Sequence, residues 1–357
     1  MAKKPLWRRL KYKNIAVALG AMILIIVLIC QGCSKNDDKK KDNPKEKNPS
    51  SQTDNKKPSD TQNNNNTPSI QPSAEKLYND YKYVNVDNTT ALHNGDLILI
   101  NGDYAYKGDE PQDLVSSFDY RKNENNVVVM PIKDDSVTAK KIVLENLNAM
   151  LADFYKAKGI KDVMLVSGHR TEEYQKELYE KDLEKTGLAY STLVEKPGHS
   201  EHHSGYAVDF QLAKDGFPFF SGDGEYKWIL ENCAKYGFIL RYDPDKATIT
   251  GIDGETWHFR YVGVPHAELI YNSKLCLEEY MLSIAQYSLD TPLYVNAEGT
   301  GDRYAIYYYP ADKSKDTTNV QIPIYADGSE YHYTISGNNC EGYIVTVDIS
   351  AGKVKAE

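Results

Sequence analysis

Residues 34–75 carry almost no apolar side chain, and that break decides where in the chain a fold can lie. The stretch reads SKNDDKKKDNPKEKNPSSQTDNKKPSDTQNNNNTPSIQPSAE. Lys, Asp, Asn, Ser and Pro cannot bury enough apolar surface to offset the entropy of ordering the chain, so the stretch is expected to be a disordered polar linker. About 40 such residues span roughly 35 Å root-mean-square. Any core must come from the residues that follow.

The residues before it have a different character. Met1 to Lys13 are rich in Lys and Arg and hold no acid, and Ile15 to Cys30 (IAVALGAMILIIVLIC) is a continuous apolar run ahead of Gln31-Gly32-Cys33. Sixteen residues make about 24 Å of helix, short of the roughly 30 Å hydrocarbon core, which suits a signal-peptide core with its basic flank on the cytoplasmic side. Gly32 before Cys33 resembles a bacterial lipoprotein cleavage site, although Cys30 and Gln31 depart from its usual pattern. Two readings of residues 1–33 follow, a lipidated leader or a retained membrane anchor. Both put the bulk of the chain on the extracytoplasmic face of the cell membrane, facing the wall, with the membrane as a partner through this segment.

A formal charge of −9 and a pI near 5.5 give no basic face for nucleic acid. Cys233, Cys276 and Cys340 are scattered and form no CxxC pair, so neither a metal knuckle nor a disulfide framework is expected, and three buried thiols are. A monomer is expected.

The folded part is expected over 76–288, with a small β-rich region over 289–357. Asp96 to Asn101 (DLILIN), Asn126 to Met130 (NVVVM) and Asp162 to Ser167 (DVMLVS) read as strands. Val143, Leu147, Met150, Leu151 and Phe154 fall on one helical face, predicting a helix that starts near Asp135 or Ser136 and ends at Gly159. Thr171 opens a second helix with Glu172 and Glu173 in its first turn, Glu225 to Tyr236 a third, and Pro265 to Tyr287 is mostly helical. Thr256 to Val262 reads as a strand. Mixed elements without regular βαβ alternation argue for an α+β fold. Beyond Leu289 the segments DRYAIYYYP, NVQIPIY, EYHYTIS and GYIVTVDI alternate as short strands.

Six of the eight histidines lie between Ser167 and His266. Ser200-Glu201-His202-His203-Ser204-Gly205-Tyr206-Ala207-Val208-Asp209 places a histidine in a loop and an aspartate seven residues later on the next strand. Glu255-Thr256-Trp257-His258 adds a histidine with a carboxylate three residues before it. Two histidines and one carboxylate from separate segments are a common catalytic zinc set with one position left for water. Zn2+ is therefore the expected cofactor, and hydrolysis at neutral pH the expected chemistry. A further carboxylate must hold the water's proton, and Glu255 is the candidate, expected in the Asp253-Gly254 turn that feeds the strand.

The pattern S-x-H-x-x-G-x-A-x-D followed by E-x-W-H-F-R-Y-V-G resembles the VanY-type D-alanyl-D-alanine carboxypeptidases. Ser167-Gly168-His169-Arg170-Thr171 through Gln175 is similar to that family's S-G-Y-R-S-x-x-x-Q, with His169 in place of Tyr. The resemblance covers about Leu144 to Ile270. It implies zinc ligands at His202, Asp209 and His258, a general base at Glu255 and oxyanion stabilisation by Arg170. It further implies that Gln175 and Ser200 help hold the substrate's terminal carboxylate. The implied fold has a small antiparallel sheet flanked by helices, and the implied substrates are peptidoglycan stem peptides ending in D-alanine, either penta- or tetrapeptides.

Blander readings stand beside these. Arg170 can simply pair with Glu172 or Glu173, Trp257 reads as a hydrophobic wall beside the site, and His199, His203 and His266 read as surface or packing residues. Most of the 28 tyrosines suit half-buried strand positions. The alternatives to a carboxypeptidase are an endopeptidase of the same fold and a wall-binding lipoprotein without catalysis. Arg170 and Gln175, apt for a free carboxylate, favour the exopeptidase.

Overall fold

Six apolar side chains on one stripe, Val143, Leu144, Leu147, Met150, Leu151 and Phe154, are all buried along the first helix, α1 (Lys141–Lys158). Each such burial contributes roughly 1.5–3 kcal/mol, far more than helix propensity differences, so the stripe decides how α1 lies. Gly159 ends the helix in the left-handed region at φ 71°. The computed structural model describes residues 80–350 and residue 352; the expected leader and linker (1–33 and 34–75) lie outside the described residues. The described residues lie within one compact unit.

The stripe of α1 packs against an antiparallel four-stranded sheet of β4 (Val163–Ser167), β5 (Ala207–Leu212), β7 (Glu255–Tyr261) and β6 (Phe238–Tyr242), in the order β4-β5-β7-β6. Strand alternation sorts the residues between two faces. Val208, Phe210 and Phe259 join α1 in the core, while Asp209 and His258 are the intervening residues. Helix α2 (Glu172–Thr186) follows β4, with the Thr171 hydroxyl accepting from Tyr174 N at 3.2 Å as its N-cap.

A second sheet, β11 (His332–Gly337), β12 (Gly342–Asp348), β9 (Arg303–Pro310) and β8 (Leu293–Asn296), is buried on both faces. Ile306 and Ile344 meet a core shared with α5 (His266–Asn272), α6 (Leu277–Ile284), Leu97 and Leu99. Tyr307, Tyr343 and Val345 meet Val320 and Ile322 of β10 (Thr317–Ile324), which pairs with β1 (Asp80–Asp87). Among the described residues no helix is long and apolar enough to cross a membrane, and Cys233, Cys276 and Cys340 are free thiols.

Four expectations are corrected. The helix begins at Lys141, because Thr138–Lys140 forms β3 against β2 (Leu114–Ser116), and Ser136 turns back onto Asp134. Asp96–Asn101 is buried but is not a ladder strand. Its polar groups are met by Arg260, which donates to Asp96 O and Ile98 O, and by Asn339, which donates to Leu99 O. Asn126–Met130 makes one bridge, Lys122 with Val128. The helix expected over Glu225–Tyr236 is α3 (Lys227–Asn232) flanked by 3₁₀ turns. A short α4 (Ala247–Thr250) precedes the Gly251 turn.

His266 joins three elements. Its Nδ1 lies 2.6 Å from Tyr280 Oη on α6 and its Nε2 2.8 Å from Thr346 Oγ1 on β12. Burial pushes its pKa down to about 3. The unfolded chain therefore binds a proton here that the folded chain refuses, so this contribution to stability is lost as pH falls from about 6.5 towards 3. Urea midpoints measured across that window should decline towards acid, and less steeply in His266→Gln than in the native chain.

Candidate active site

Strand register builds the site. Asp209 pairs directly with His258 across β5 and β7, and Ser167 pairs with Asp209 across β4 and β5. A bulge between Leu165 and Ser167 switches faces, so Leu165 packs in the core while the Ser167 hydroxyl accepts from Arg170 Nε at 2.8 Å. Arg170 also donates to Asp209 Oδ2 and, at 3.3 Å, to Gln175 Oε1. It thus pairs with Asp209 and not with Glu172 or Glu173.

The histidine loop is held just as tightly. The Ser200 hydroxyl accepts from His202 N at 3.4 Å, opening the single turn Glu201–Ser204, which closes at Gly205 with φ 72°. His202 Nδ1 lies 2.5 Å from the carbonyl of Gly168. Only glycine fits there, since a Cβ at position 168 would sit 2.1 Å from Thr138 O. With Nδ1–H donated to that carbonyl, Nε2 presents a lone pair inward. It is buried, 3.2 Å from Asp209 Oδ2, and has no hydrogen-bond partner among the described residues.

His258 is fixed from its other side. Its Nε2 lies 3.3 Å from Glu201 Oε2 and its Nδ1 2.9 Å from Asp209 Oδ1. One ligand atom from each of His202, Asp209 and His258 lies within 4.8 Å of the others, all three residues being buried. Two imidazoles and a carboxylate, one with an orphaned lone pair, fit a divalent metal of zinc's character. The electrostatics agree. Burial would raise the Asp209 pKa, yet Arg170 and the hydrogen bond from His258 outweigh it and hold the carboxyl well below the usual range. Burial, then Arg170, pushes His202 down to about 4, keeping it neutral. Against burial, Asp209 and Glu201 push His258 up to about 9, so with no metal it answers the two carboxylates with a second proton.

Glu255 is the first residue of β7, opposite Tyr242, and not in the turn before it. The pairing slips between Leu240 and Tyr242, and this irregularity lets Glu255 approach His258 despite their three-residue spacing, with Oε2 3.9 Å from Nδ1. Burial pushes its pKa up to about 8. Glu255, Arg170, Gln175, Ser200 and Trp257 share one cleft of about 340 Å³ with the three metal-set residues. Trp257 forms its wall, ring to ring with Phe219 at 4.5 Å. Gln175 is buried and donates to Glu195 O at 2.7 Å. His203 is buried, with Nδ1 2.8 Å from Arg170 O, and His199 lies with Nδ1 2.7 Å from Asn101 O, so both are packing residues.

Glu201 was passed over in the sequence although it lies inside the densest motif. Its carboxylate accepts from Arg241 Nε at 2.8 Å and Arg260 Nη1 at 2.9 Å while facing His258. Tyr242, whose ring is 4.9 Å from that of His258, gave no signal at all.

A donor set of this kind in an open cleft on a small antiparallel sheet is that of a hydrolytic metalloenzyme, and comparison with known proteins places the chain among the carboxypeptidases. The family described as VanY, D-alanyl-D-alanine carboxypeptidase, matches residues 136–264. A D-alanyl-D-alanine carboxypeptidase of Enterococcus faecium is 33% identical over 259 residues, 72% of this chain and 76% of that protein. The bifunctional D-Ala-D-Ala dipeptidase and carboxypeptidase VanXYC of Enterococcus gallinarum is 39% identical over 46% of this chain and 90% of that one. The crystal structure of the vancomycin resistance D,D-dipeptidase VanXYg, in complex with a D-Ala-D-Ala phosphinate analogue, superposes with a TM-score of 0.63 at 30% identity. It covers 75% of this chain and 99% of that one. The chain belongs to the VanY family of D-alanyl-D-alanine carboxypeptidases.

Glu201→Gln removes the carboxylate that two buried arginines share. It should destabilise the fold by about 3–5 kcal/mol in chemical denaturation. It should also weaken metal binding by about 10–100-fold, because His258 loses its outer partner. A variant with native stability and native metal affinity would show that the network is dispensable.

Proposed function

We propose that the chain is a zinc-dependent carboxypeptidase that removes the C-terminal D-alanine from peptidoglycan stem peptides, with His202, Asp209 and His258 as the ligands. The observation that carries this reading is the buried lone pair of His202, held inward by the Gly168 carbonyl beside Asp209 and His258. A bound zinc ion supplies an acidified water and polarises the scissile carbonyl.

The protein's own groups supply the rest. Glu255 lies outside the three-residue ligand set, with Oε2 3.9 Å from His258 Nδ1, which places an ionised carboxylate to take the water's proton and pass it to the leaving amine. The Arg170 guanidinium has five N–H donors, and Ser167, Gln175 and Asp209 take three of them, leaving two for the developing oxyanion. Gln175 keeps one N–H beyond its bond to Glu195 O. The Ser200 oxygen accepts from His202 N, so its own proton is available to donate. These two donors suit a free terminal carboxylate, which favours exopeptidase over endopeptidase action.

The leader composition of residues 1–33 supports attachment to the extracytoplasmic face of the membrane, by lipid or by anchor, with 34–75 as a tether that lets the catalytic part reach the wall.

Two measurements test this reading. The purified protein should hold about one zinc, and Glu255→Gln should keep that metal while losing roughly 10²–10⁴-fold in turnover. Near-native turnover would overturn the role of Glu255, and loss of zinc would make Glu255 a ligand. Separately, amidating the substrate's C-terminus should slow cleavage at least about tenfold, equivalent to about 1.4 kcal/mol. Equal rates would point to an endopeptidase.

A further inference from the structure

Helix α2 lines the cleft from its buried end to its mouth. Gln175, Leu178, Lys181, Asp182 and Lys185 of this helix all border the cleft, and their spacing keeps them on one helical face. At 1.5 Å per residue, Lys181 and Lys185 stand about 9 and 15 Å along the axis from Gln175. Gln175 and Ser200 are buried at one end, while the Lys181 side chain is exposed at the other.

The two lysines are poorly matched within the chain. Lys181 reaches Glu177 at 4.0 Å with both side chains in solvent, a pair that contributes little. Lys185 makes no ion pair or hydrogen bond among the described residues. Asp182 lies between them in sequence, but its carboxylate accepts from the Ser191 hydroxyl at 2.6 Å and pairs with neither lysine. Four residues apart, Lys181 and Lys185 stand at a spacing where like charges oppose helix formation. The helix dipole favours a cation at 185, in the last turn, and offers nothing to 181. On the cleft wall of a chain with net charge −9, this pair is complementary to an anion that enters with the substrate.

We propose that Lys181 and Lys185 are specificity-determining residues that receive a carboxylate of the substrate upstream of its terminal D-alanines. The inference rests on the carboxypeptidase reading, which puts the substrate's terminal carboxylate at Gln175 and the scissile bond at the metal set. Upstream residues then leave by the open end, along α2. An extended peptide advances at most about 3.3–3.6 Å per residue, so the third and fourth residues from the C-terminus reach about 10 and 14 Å from Gln175, alongside the two lysines. The substrate class is a stem peptide with an acidic residue there, a glutamate or a diamino diacid whose carboxylate is left free.

The test uses the full-length protein and its Lys181→Gln/Lys185→Gln double variant on two matched pairs of peptides. One pair is N-acetyl-Glu-D-Ala-D-Ala and its Gln counterpart. The other is N-acetyl-Glu-Ala-D-Ala-D-Ala and its Gln counterpart. At low salt the native chain should prefer the Glu peptide of at least one pair by about threefold or more in kcat/KM, mainly through KM, the range open to solvent-exposed charge pairs. That preference should fade as ionic strength rises from about 0.01 to 1 M, where the Debye length shrinks from about 30 to 3 Å. In the double variant it should vanish, with rates on the Gln peptides unchanged. Loss confined to one pair assigns the carboxylate to the third or to the fourth residue from the C-terminus. No preference in the native chain, equal preference in both proteins, or a uniform fall on all four peptides overturns the role of the lysines and leaves the carboxypeptidase reading intact. A native protein that cleaves none of the four overturns that reading and this inference together.

Discussion

The Glu201 carboxylate, fully enclosed between two arginines and a histidine, is the interaction on which the rest of the molecule hangs. Arg260 on β7 and Arg241 on β6 both reach one oxygen, and His258 faces the other. Taking three charged groups from water costs several kcal/mol for each ion, so the cluster is not a cheap source of stability. What it provides is registry. The same Arg260 holds Asp96 O and Ile98 O, and the same Arg241 reaches Glu278 on α6 at 2.6 Å. The loop bearing His202, the central sheet, the buried N-terminal segment and α6 are therefore locked to a single anion. Three opposing positive partners hold Glu201 well below the usual carboxylate range, even though burial acts the other way.

The central sheet works because its two faces are given to different tasks. One face, with Val208, Phe210 and Phe259, packs on α1 and makes the sheet rigid. The other presents Ser167, Asp209 and His258 in one row across three strands. A row set by ladder hydrogen bonds places the ligands more precisely than a loop could. The one loop ligand, His202, is compensated by a backbone carbonyl that only a glycine at 168 can bring close enough.

Legibility followed the physics of each segment. The apolar stripe of α1, its Gly159 stop and the Thr171 cap were readable, since each depends on side chains within a turn or two of one another. The four C-terminal strands were readable from alternation. Asp96–Asn101 was misread because a continuous apolar run looks the same whether its backbone is met by a neighbouring strand or by the side chains of Arg260 and Asn339. The helix start was misread because β2, more than twenty residues upstream, claims Thr138–Lys140. Local capping signals carry no information about such a partner.

The chemistry of the site was present in the sequence by itself: two histidines, an aspartate and a reserve glutamate in a fixed order, with an arginine upstream. Residue type determines what can ligate and what can carry a proton, and type is what a sequence states directly. Only the tertiary structure decided how those groups are supported. The bulge before Ser167, the slipped pairing that turns Glu255 towards His258 and the arginine pair around Glu201 all arise from segments far apart in the chain. Each depends on strand register and on exclusion of water, and both exist only once the sheet has closed on its core.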